Sequence, residues 1–396
     1  MKIERIESFV VRAPLAEQRF YFSQRLCGAR ESLLVKVTTD AGTVGWGEGG
    51  VSMPAEHAAG ALHTLIAPRA LGQSALATDP LWHDVYAFTR DFGRKSTPID
   101  ALSALDIALW DIRGKEAGKP VSALLGGSFR QSVRAYATGF YYHESDLADP
   151  DRAIAHVRDE AQQHLDAGFT AMKGKIGLLP VADDLRRMQA LRDHVGADIL
   201  LMTDANHAYN RHTAASVGRA LEQLGYAWFE EPLVPEDVPG CAALRAKLTI
   251  PIATGETEYT RFGFLELLRA DAADILQPDL ARCGGISEAR RIQALASAFC
   301  TPVIPHVWGT GVAMAAALQF LATLEPTPHT AAPHAPENEP MLEYDRSPNP
   351  LREELLAEPI RLDGDAVAIP QAPGLGIEIA RDALDRFCVA RRESTR

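Results

Sequence analysis

Three acidic residues, Asp204, Glu230 and Glu256, recur at equal intervals along the chain, each at the end of a short apolar run. If these runs are neighbouring strands, the three carboxylates converge, and like charges at close range are unfavourable. A cation would resolve this conflict, and a set of oxygen ligands suits a hard ion such as Mg²⁺. The spacing therefore predicts a Mg²⁺ site that keeps positions open for water or substrate oxygens.

Basic side chains end other runs of the same series. Lys173 and Lys175 share one face because side chains alternate along a strand, and His306 ends a later run. Beside a divalent cation and a second lysine the ammonium form of Lys175 is disfavoured, so we expect a lowered pKa, as a general base requires. Asp279, on the run before His306, is placed to accept a hydrogen bond from the imidazole ring and fix its tautomer. The pattern predicts acid–base catalysis beside the metal.

These side chains need a scaffold that gathers strand ends, and from residue 133 the chain repeats a short apolar strand, a polar loop and a longer helix. This repeat is typical of βα units around a parallel sheet. Polar residues at many strand ends, and no glycine-rich fingerprint after the first strand, favour a (β/α)8-type barrel over an open doubly wound sheet. We predict strands at 133–138, 170–176, 199–205, 227–231, 251–256, 273–278, 301–306 and 341–344.

The regions before and after the repeat have different patterns. Residues 33–39 and 44–47 flank an Asp-Ala-Gly turn and predict an antiparallel hairpin, and residues 98–117 have helical spacing of apolar residues. A small α+β domain is therefore expected before the barrel. Residues 351–396 return to loops and hairpins, which we expect to pack against that domain, and the Pro- and His-rich stretch 326–340 is expected to be a surface connection.

Composition excludes several classes of protein. The chain has 40 Lys plus Arg against 52 Asp plus Glu, a net charge of -12 that would repel nucleic acid and anionic membranes. Its five cysteines lack CxxC spacing, which argues against a disulfide framework and a zinc–thiolate site. No apolar leader follows Met1, and the apolar stretch 311–324 is shorter than a membrane span. We expect a soluble cytoplasmic protein.

The ordered series of motifs resembles a known family. The motifs are Lys173-Gly-Lys175, Asp204-Ala-Asn206, Glu230-Glu231-Pro232, Gly255-Glu256, Gln277-Pro278-Asp279 and Pro305-His306, preceded by Gly45-Trp46-Gly47-Glu48. In order and spacing they resemble the enolase superfamily, mandelate racemase subgroup. The resemblance implies an α/β fold: a modified (β/α)7β TIM-type barrel (129–350) with an α+β capping domain formed by residues 1–128 and the returning segment 351–396.

The resemblance also implies a mechanism. Mg²⁺ would lie on Asp204, Glu230 and Glu256, and Lys175 or the His306–Asp279 pair would remove the proton next to a carboxylate, with the metal stabilising the enediolate. Within the family the chain most resembles enzymes that open an acid-sugar lactone by β-elimination, which are cycloisomerases. An acid-sugar dehydratase would use the same mechanism with a hydroxyl as the leaving group.

Other reactions remain open from the sequence. A racemase or epimerase of a 2-hydroxy acid is possible because Lys175 and His306 would flank the α-carbon. From other classes, a barrel glycosidase needs two carboxylates across a sugar bond, but neither it nor a non-catalytic sugar-acid-binding protein explains the two lysines together with His306. The ligand is expected to be a small carboxylate, and the chain is expected to form a homo-oligomer.

Substrate contacts are the least specified part of the site. Lys173 would hold the substrate carboxylate, and Asn206, Trp308, Glu343 and Tyr21 are the other candidate contacts. Three segments, 19–25, 49–54 and 258–261, do not match the family, and in this subgroup the first two of these loops reach over the barrel mouth and select the substrate. The reaction class therefore transfers from the family better than the substrate does.

Overall fold

Strands and helices occupy most of the chain, which the computed structural model describes at residues 1–50, 54–328, 330–331 and 339–396. The strands are β1 (Ile3–Pro14), β2 (Phe20–Phe22), β3 (Arg25–Cys27), β4 (Ala29–Thr39), β5 (Val44–Gly49), β6 (Ser132–Gly139), β7 (Ala171–Lys175), β8 (Leu200–Asp204), β9 (Phe229–Glu230), β10 (Ile252–Thr254), β11 (Ile275–Leu276), β12 (Leu342–Asp345), β13 (Leu362–Asp363), β14 (Ala366–Ala368) and β15 (Cys388–Thr395). The helices are α1 (Ala55–Ala61), α2 (Ala67–Ala70), α3 (Thr78–Thr89), α4 (Thr97–Ala117), α5 (Val121–Leu124), α6 (Glu144–Ala148), α7 (Pro150–Asp166), α8 (Val181–Val195), α9 (Arg211–Gln223), α10 (Val238–Arg245), α11 (Thr260–Arg269), α12 (Gly285–Ala298), α13 (Gly311–Leu321), α14 (Pro350–Glu354) and α15 (Arg381–Phe387).

The first sheet is antiparallel, in the order β15-β1-β4-β5, and it contains the predicted hairpin as β4 and β5. Helix α4 packs directly on β5. The glycines at positions 45, 47 and 49 alternate along β5, and a Cβ at each would clash with a backbone carbonyl of α4. The glycine repeat therefore lets helix and strand backbones touch, while Trp46 and Glu48 face the other way.

The barrel is a parallel sheet in the order β12-β6-β7-β8-β9-β10-β11, with helices α7 to α13 in the connections. Parallel pairing of β12 with β6 joins the last strand to the first. This arrangement confirms the modified (β/α)7β barrel with an α+β cap. A buried cluster of Tyr136, Met202, Trp228 and Ala253 fills its interior.

The seventh predicted strand, 301–306, is wrong as a full strand. It makes a single parallel bridge, between Val303 and Leu276 of β11. Pro302 and Pro305 have no N–H to donate, so a regular ladder cannot run along this segment. The segment still follows the strand position, because Leu276 donates to Pro302 O at 3.0 Å and accepts from Ile304 N at 3.0 Å.

The C-terminal segment makes two different contacts. Strand β15 pairs with β1, as expected for a return to the first sheet. The β13–β14 hairpin instead pairs antiparallel with β6 of the barrel. The division of the chain into 1–128, 129–350 and 351–396 stays a prediction.

The β2–β3 hairpin lies against the C-terminal end of the barrel. Tyr21 and Tyr142 exchange two backbone hydrogen bonds of 2.7 and 2.9 Å, and Ser23 Oγ donates to Ala205 O at 2.7 Å. The hairpin therefore spans from the loop after β6 to the loop after β8, over the strand that carries the two lysines. Part of the expected selecting loop 49–54 and most of the 326–340 connection lie outside the described residues. In the described part of the chain, no helix is both long and apolar enough to cross a membrane.

Candidate active site

The register of the barrel strands places the predicted polar side chains side by side. Lys175 lies opposite Asp204 in the β7–β8 ladder, and Asp204 lies opposite Glu230 in the β8–β9 ladder. Gly255, with φ of 129°, carries Glu256 just past β10. All the predicted metal and base residues lie at this end of the barrel, and all but Glu256 are buried: Lys173, Lys175, Asp204, Glu230, Glu256, Asp279, His306 and Glu343.

The three acidic residues form a compact carboxylate cluster. Ligand oxygens of Asp204, Glu230 and Glu256 lie within 4.8 Å of one another. Oε2 of Glu256 is buried and has no hydrogen-bond partner in the described structure. Burial, with the neighbouring carboxylates, raises the pKa of Glu230 to about 8 and that of Glu256 to about 7, against the opposing effects of Lys173 and His306. An all-oxygen cluster with an unsatisfied oxygen fits a hard divalent cation.

Lys173 lies between two carboxylates at the centre of the site. Its Nζ is 2.6 Å from Glu230 Oε1 and 2.9 Å from Glu343 Oε1, and the side chain has no exposed surface. Burial opposes its charge, but Glu230 and Glu343 outweigh burial and raise the pKa of Lys173. Lys173 is therefore a fixed cation that holds the two carboxylates in place.

Lys175 contacts one end of the carboxylate cluster. Its Nζ donates to Asp204 and, at 2.9 Å, to Asn206 Oδ1. Burial opposes the charge of Lys175, but Asp204 together with Tyr141 and Glu256 raises its pKa, so the net direction is upward. The lowered pKa expected beside a divalent cation stays a prediction, because the Asp204 carboxylate that raises the pKa of Lys175 here is itself a proposed ligand of that cation. Burial also opposes the charge of Asp204, yet the two lysines lower its pKa.

His306 contacts the opposite end of the cluster. Its Nδ1 is 2.7 Å from Asp279 Oδ2, and its Nε2 is 3.4 Å from Glu256 Oε2. Asp279 is held by the N–H of Ala281 at 2.7 Å, so it orients the ring. Burial opposes the imidazolium, but Glu256, Glu343 and Asp279 raise the pKa of His306 to about 10. Lys175 and His306 thus contact the two ends of one carboxylate cluster, and the carboxylates favour the protonated form of each.

Alternation along β12 puts Glu343 and Tyr344 on opposite faces of the strand, and the structure shows which of the two enters the site. Glu343 faces the site, where Oε1 accepts from Thr138 Oγ1 at 2.7 Å and Oε2 accepts from Val307 N at 2.9 Å. Burial raises its pKa, but Lys173 and His306 lower it to about 2. Tyr344 faces outward, where its hydroxyl donates to Ile360 O at 3.3 Å.

Strained backbone surrounds the site at the ends of β8 and β9. Asn206, His207 and Glu231 have φ of 41°, 66° and 42°, a region that non-glycine residues rarely adopt. The turn points Asn206 Oδ1 at Lys175 and its amide Nδ2 at Glu231 Oε2, 3.5 Å away. Glu231 is also 2.7 Å from His207 Nε2, so it lies on the side of β9 away from Lys173. One member of the Glu230–Glu231 pair therefore enters the cluster.

The other predicted substrate contacts lie further from the carboxylates. Trp308 Nε1 donates to Tyr141 OH at 2.9 Å, and Lys175 Nζ lies 5.6 Å from the Tyr141 ring centre. Tyr21 packs with the apolar cluster of Tyr142 and Leu179, outside the group of charged residues. Trp308 and Tyr141 therefore form a wall beside the base site, whereas Tyr21 supports the hairpin.

Sequence reasoning missed several residues that hold the site. Gln277 Nε2 and Trp228 Nε1 donate to Glu230 Oε2 at 2.6 and 3.1 Å. Gln277 precedes Asp279 by two residues, a spacing within the Gln-Pro-Asp motif that could have marked it as a neighbour of the site. Tyr141 gave no signal, because its position depends on the packing of Phe20 from the hairpin, 4.3 Å away between ring centres.

Comparisons with known proteins agree with this architecture. Residues 156–383 match the enolase C-terminal domain-like family, and residues 5–126 match the N-terminal domain of the mandelate racemase / muconate lactonizing enzyme family. D-galactarolactone cycloisomerase from Agrobacterium fabrum is 44% identical over 358 residues, which cover 90% of this chain and 91% of the relative.

Two solved structures are similar over nearly the whole chain. The 3,6-anhydro-D-galactonate cycloisomerase from Zobellia galactanivorans is 35% identical with a TM-score of 0.86, covering 98% of this chain and 100% of that one. L-talarate/galactarate dehydratase from Salmonella typhimurium LT2, liganded with Mg and L-lyxarohydroxamate, is 28% identical with a TM-score of 0.85, covering 100% and 95%. This chain therefore belongs to the mandelate racemase and muconate lactonizing enzyme family of the enolase superfamily, and it is an enzyme of the isomerase or lyase type.

Proposed function

We propose that the protein abstracts the proton α to the carboxylate of an acid sugar or acid-sugar lactone, in a Mg²⁺-dependent reaction that ends in β-elimination. The observation that carries the proposal is the placement of Lys175 and His306 at opposite ends of the Asp204–Glu230–Glu256 cluster. The similarity to cycloisomerases and to a dehydratase of acid sugars supports the substrate class.

The carboxylate cluster is the proposed metal site. Asp204, Glu230 and Glu256 would hold Mg²⁺, which supplies Lewis-acid stabilisation of the charge that develops on the substrate carboxylate. Lys173 fixes Glu230 through its 2.6 Å contact and presents positive charge to an incoming carboxylate. Gln277 and Trp228 fix the other oxygen of Glu230, so this residue is preorganised before any ligand arrives.

The two proposed bases reach the α-carbon from different strands. The Asp279 carboxylate accepts a hydrogen bond from Nδ1–H of His306, and this leaves Nε2 of the ring to accept or return a proton. Lys175 Nζ is held by Asp204 and Asn206, and it acts as a base once it has given up its own proton. After proton removal, the enediolate expels the β-oxygen, and the remaining base is placed to protonate either the leaving group or the carbon.

The identity of the β-oxygen separates the cycloisomerase from the dehydratase. A ring oxygen as the leaving group opens a lactone, whereas a hydroxyl leaves as water, and both follow the same proton removal. Racemisation needs Lys175 and His306 to exchange protons on the two faces of one carbon. Because the two residues lie at opposite ends of the carboxylate cluster, a racemase or epimerase is the alternative to β-elimination. Glycoside cleavage would leave the lysine pair without a role. Homo-oligomer formation and a cytoplasmic location stay predictions.

A proton NMR screen in D₂O tests the proposal. Aldarates, aldonates and their lactones are offered with Mg²⁺, each with and without EDTA, and spectra report proton exchange and elimination together. We expect an EDTA-sensitive 2-keto-3-deoxy acid, formed from a lactone by a cycloisomerase or from an open acid by a dehydratase. Exchange at the α-carbon without elimination would support the racemase alternative, and no reaction with any of these compounds would contradict the proposal.

A further inference from the structure

The turn of the β2–β3 hairpin contacts the loop that follows β8. Ser23 and Gln24 are the two residues between the hairpin strands. Ser23 Oγ lies 2.7 Å from Ala205 O and 3.0 Å from Asn206 O. Gln24 Nε2 also donates to Asn206 O. Among the described residues, the side chains that donate to this carbonyl all belong to the hairpin, so the capping region holds the main chain at Asn206.

The backbone at Asn206 is strained and needs partners to hold it. Asn206 and the following His207 both have positive φ, a conformation that is unfavourable for residues with a side chain and persists where neighbouring groups fix it. The barrel holds the N–H groups of this turn: Asn206 N donates to Asp204 Oδ1 at 2.8 Å, and His207 N donates to Glu231 O at 2.8 Å. The hairpin holds the carbonyl of Asn206 from the other side.

Asn206 is the partner of Lys175 that lies outside the carboxylate cluster. Lys175 Nζ donates to Asp204 and, at 2.9 Å, to Asn206 Oδ1. Asp204 is also a proposed metal ligand, whereas the Asn206 amide carries no charge and is not one of the three acids. The direction of Nζ therefore depends on where Asn206 Oδ1 lies, and that oxygen moves with the strained turn.

The main chain of Lys175 is fixed by other groups. The buried Arg187 donates from Nη1 to Lys175 O at 3.2 Å and from Nη2 to Phe140 O at 2.9 Å. Lys175 is also the last residue of the β7–β8 ladder, opposite Asp204. Because the backbone is held in this way, the position of Nζ is set by the two groups that its side chain contacts, Asp204 and Asn206.

The hairpin meets the other base differently. Near His306 its contact is apolar, with the Phe22 ring edge-on to the Trp308 ring at 6.3 Å between centres. His306 itself is oriented by Asp279, which accepts from Ala281 N in its own loop. The barrel alone therefore orients His306, whereas the groups that orient Lys175 extend into the capping region.

We propose that Ser23 is a positioning residue for Lys175: its hydroxyl holds the strained turn, and the turn aims the Asn206 oxygen that orients Nζ. This inference rests on the proposed function, because it concerns how one of the two bases is held. It gives the hairpin a task in the chemical step, distinct from the selection of substrate that the family resemblance implies for this segment.

The test compares Ser23→Ala with Ser23→Thr, which restores a hydroxyl at the same position. For the acid sugar that the wild type turns over, we expect Ser23→Ala to lower kcat by about 3- to 10-fold, the effect of one hydrogen bond, with little change in KM. Ser23→Thr should keep most of the wild-type kcat. Ser145→Ala is the matched control, because Ser145 is a half-buried serine at the same end of the barrel whose hydroxyl donates to Asp146 instead, at 3.4 Å.

A double-mutant cycle with Asn206→Ala separates positioning from a merely structural role. If Ser23 acts through the Asn206 amide, Ser23→Ala should lower kcat little further once that amide is removed, whereas independent effects would multiply. The same fold-loss in both backgrounds would overturn the inference. So would a wild-type kcat in a folded Ser23→Ala variant, a Ser23→Thr variant as slow as Ser23→Ala, or an equal loss in Ser145→Ala.

Hydrogen–deuterium exchange of the protein without substrate gives a readout that does not need turnover. Ser23→Ala should raise the exchange of the amides at 206–209, while peptides that contain His306 keep the wild-type rate. Unchanged exchange at 206–209 would overturn this inference and leave the proposed function intact. No turnover of any acid sugar by the wild type would overturn the proposed function, and the exchange result would then decide by itself whether Ser23 holds the Asn206 turn.

Discussion

Replacing Glu48 by alanine should destabilise the junction between the capping region and the barrel. Glu48 faces away from the glycine side of β5 and is fully buried against the first turn of α13. It accepts hydrogen bonds from Thr310 N at 2.8 Å, Thr310 Oγ1 at 2.6 Å and Ala313 N at 2.8 Å, and from Ser32 Oγ at 2.7 Å. A carboxylate from one region of the chain thus caps a helix of the other.

The size of the effect follows from the donors that lose their acceptor. Glu48→Ala leaves the N–H groups of Thr310 and Ala313 buried without a partner, at about 1–3 kcal/mol each. Burial raises the pKa of Glu48, so removing a buried carboxylate offsets part of this loss. We expect a net loss of about 3 kcal/mol.

Thermal unfolding followed by circular dichroism measures this loss. A destabilisation of about 3 kcal/mol corresponds to a decrease in Tm of roughly 4 °C for a chain of 396 residues, given an unfolding entropy of about 2.1 cal/mol/K per residue. Glu17→Ala is the matched control, because Glu17 is exposed and belongs to the same capping region. Activity should fall with stability, because Thr310 follows the loop that carries His306. A Tm within 2 °C of the wild type would refute the assignment of Glu48 as an interdomain cap.

Two further predictions concern the metal site and the pH dependence of stability. Glu256→Gln should weaken Mg²⁺ binding measured by calorimetry, whereas the exposed Glu266→Gln should not, and equal affinities would remove Glu256 from the site. Burial raises the pKa of Asp106 from 3.8 to about 7, so the Asp106 proton is lost at a lower pH in the unfolded chain than in the folded one. The free energy of unfolding therefore falls as the pH rises between these two values, by up to about 4 kcal/mol. Asp106→Asn should remove this part of the pH dependence of Tm, and an unchanged profile between pH 4 and 8 would show that Asp106 does not titrate in this range.

The barrel was predictable because its signal is local and repeated. Seven of the eight predicted barrel strands form, since their apolar runs alternate with helices at regular intervals. The seventh run fails as a strand because Pro302 and Pro305 lack amide donors, a rule that the sequence already contained. The pairing of β13–β14 with β6 was not predictable, because nothing in a short hairpin encodes which distant edge it meets.

The candidate site was predictable where strand-end position decides the outcome. Glu256 and His306 are brought together by the barrel alone, whereas the Arg30–Asp345 pair joins residues 315 positions apart and depends on how the cap sits on the barrel. The immediate partner of Lys175 was not predictable in the same way. The sequence indicated a cation as its neighbour, whereas the group in contact with its Nζ is the Asp204 carboxylate, a proposed ligand of that cation, which stabilises the ammonium form.

The most direct test of the central claim is the rate at which the α-proton of a turned-over acid sugar exchanges in D₂O with Mg²⁺. Wild type, Lys175→Ala and His306→Asn are compared by proton NMR after circular dichroism confirms that each is folded. We predict that at least one variant loses exchange by about 100-fold or more, because general-base catalysis contributes at least this factor. Wild-type exchange in both variants would contradict the assignment of proton abstraction to these two residues.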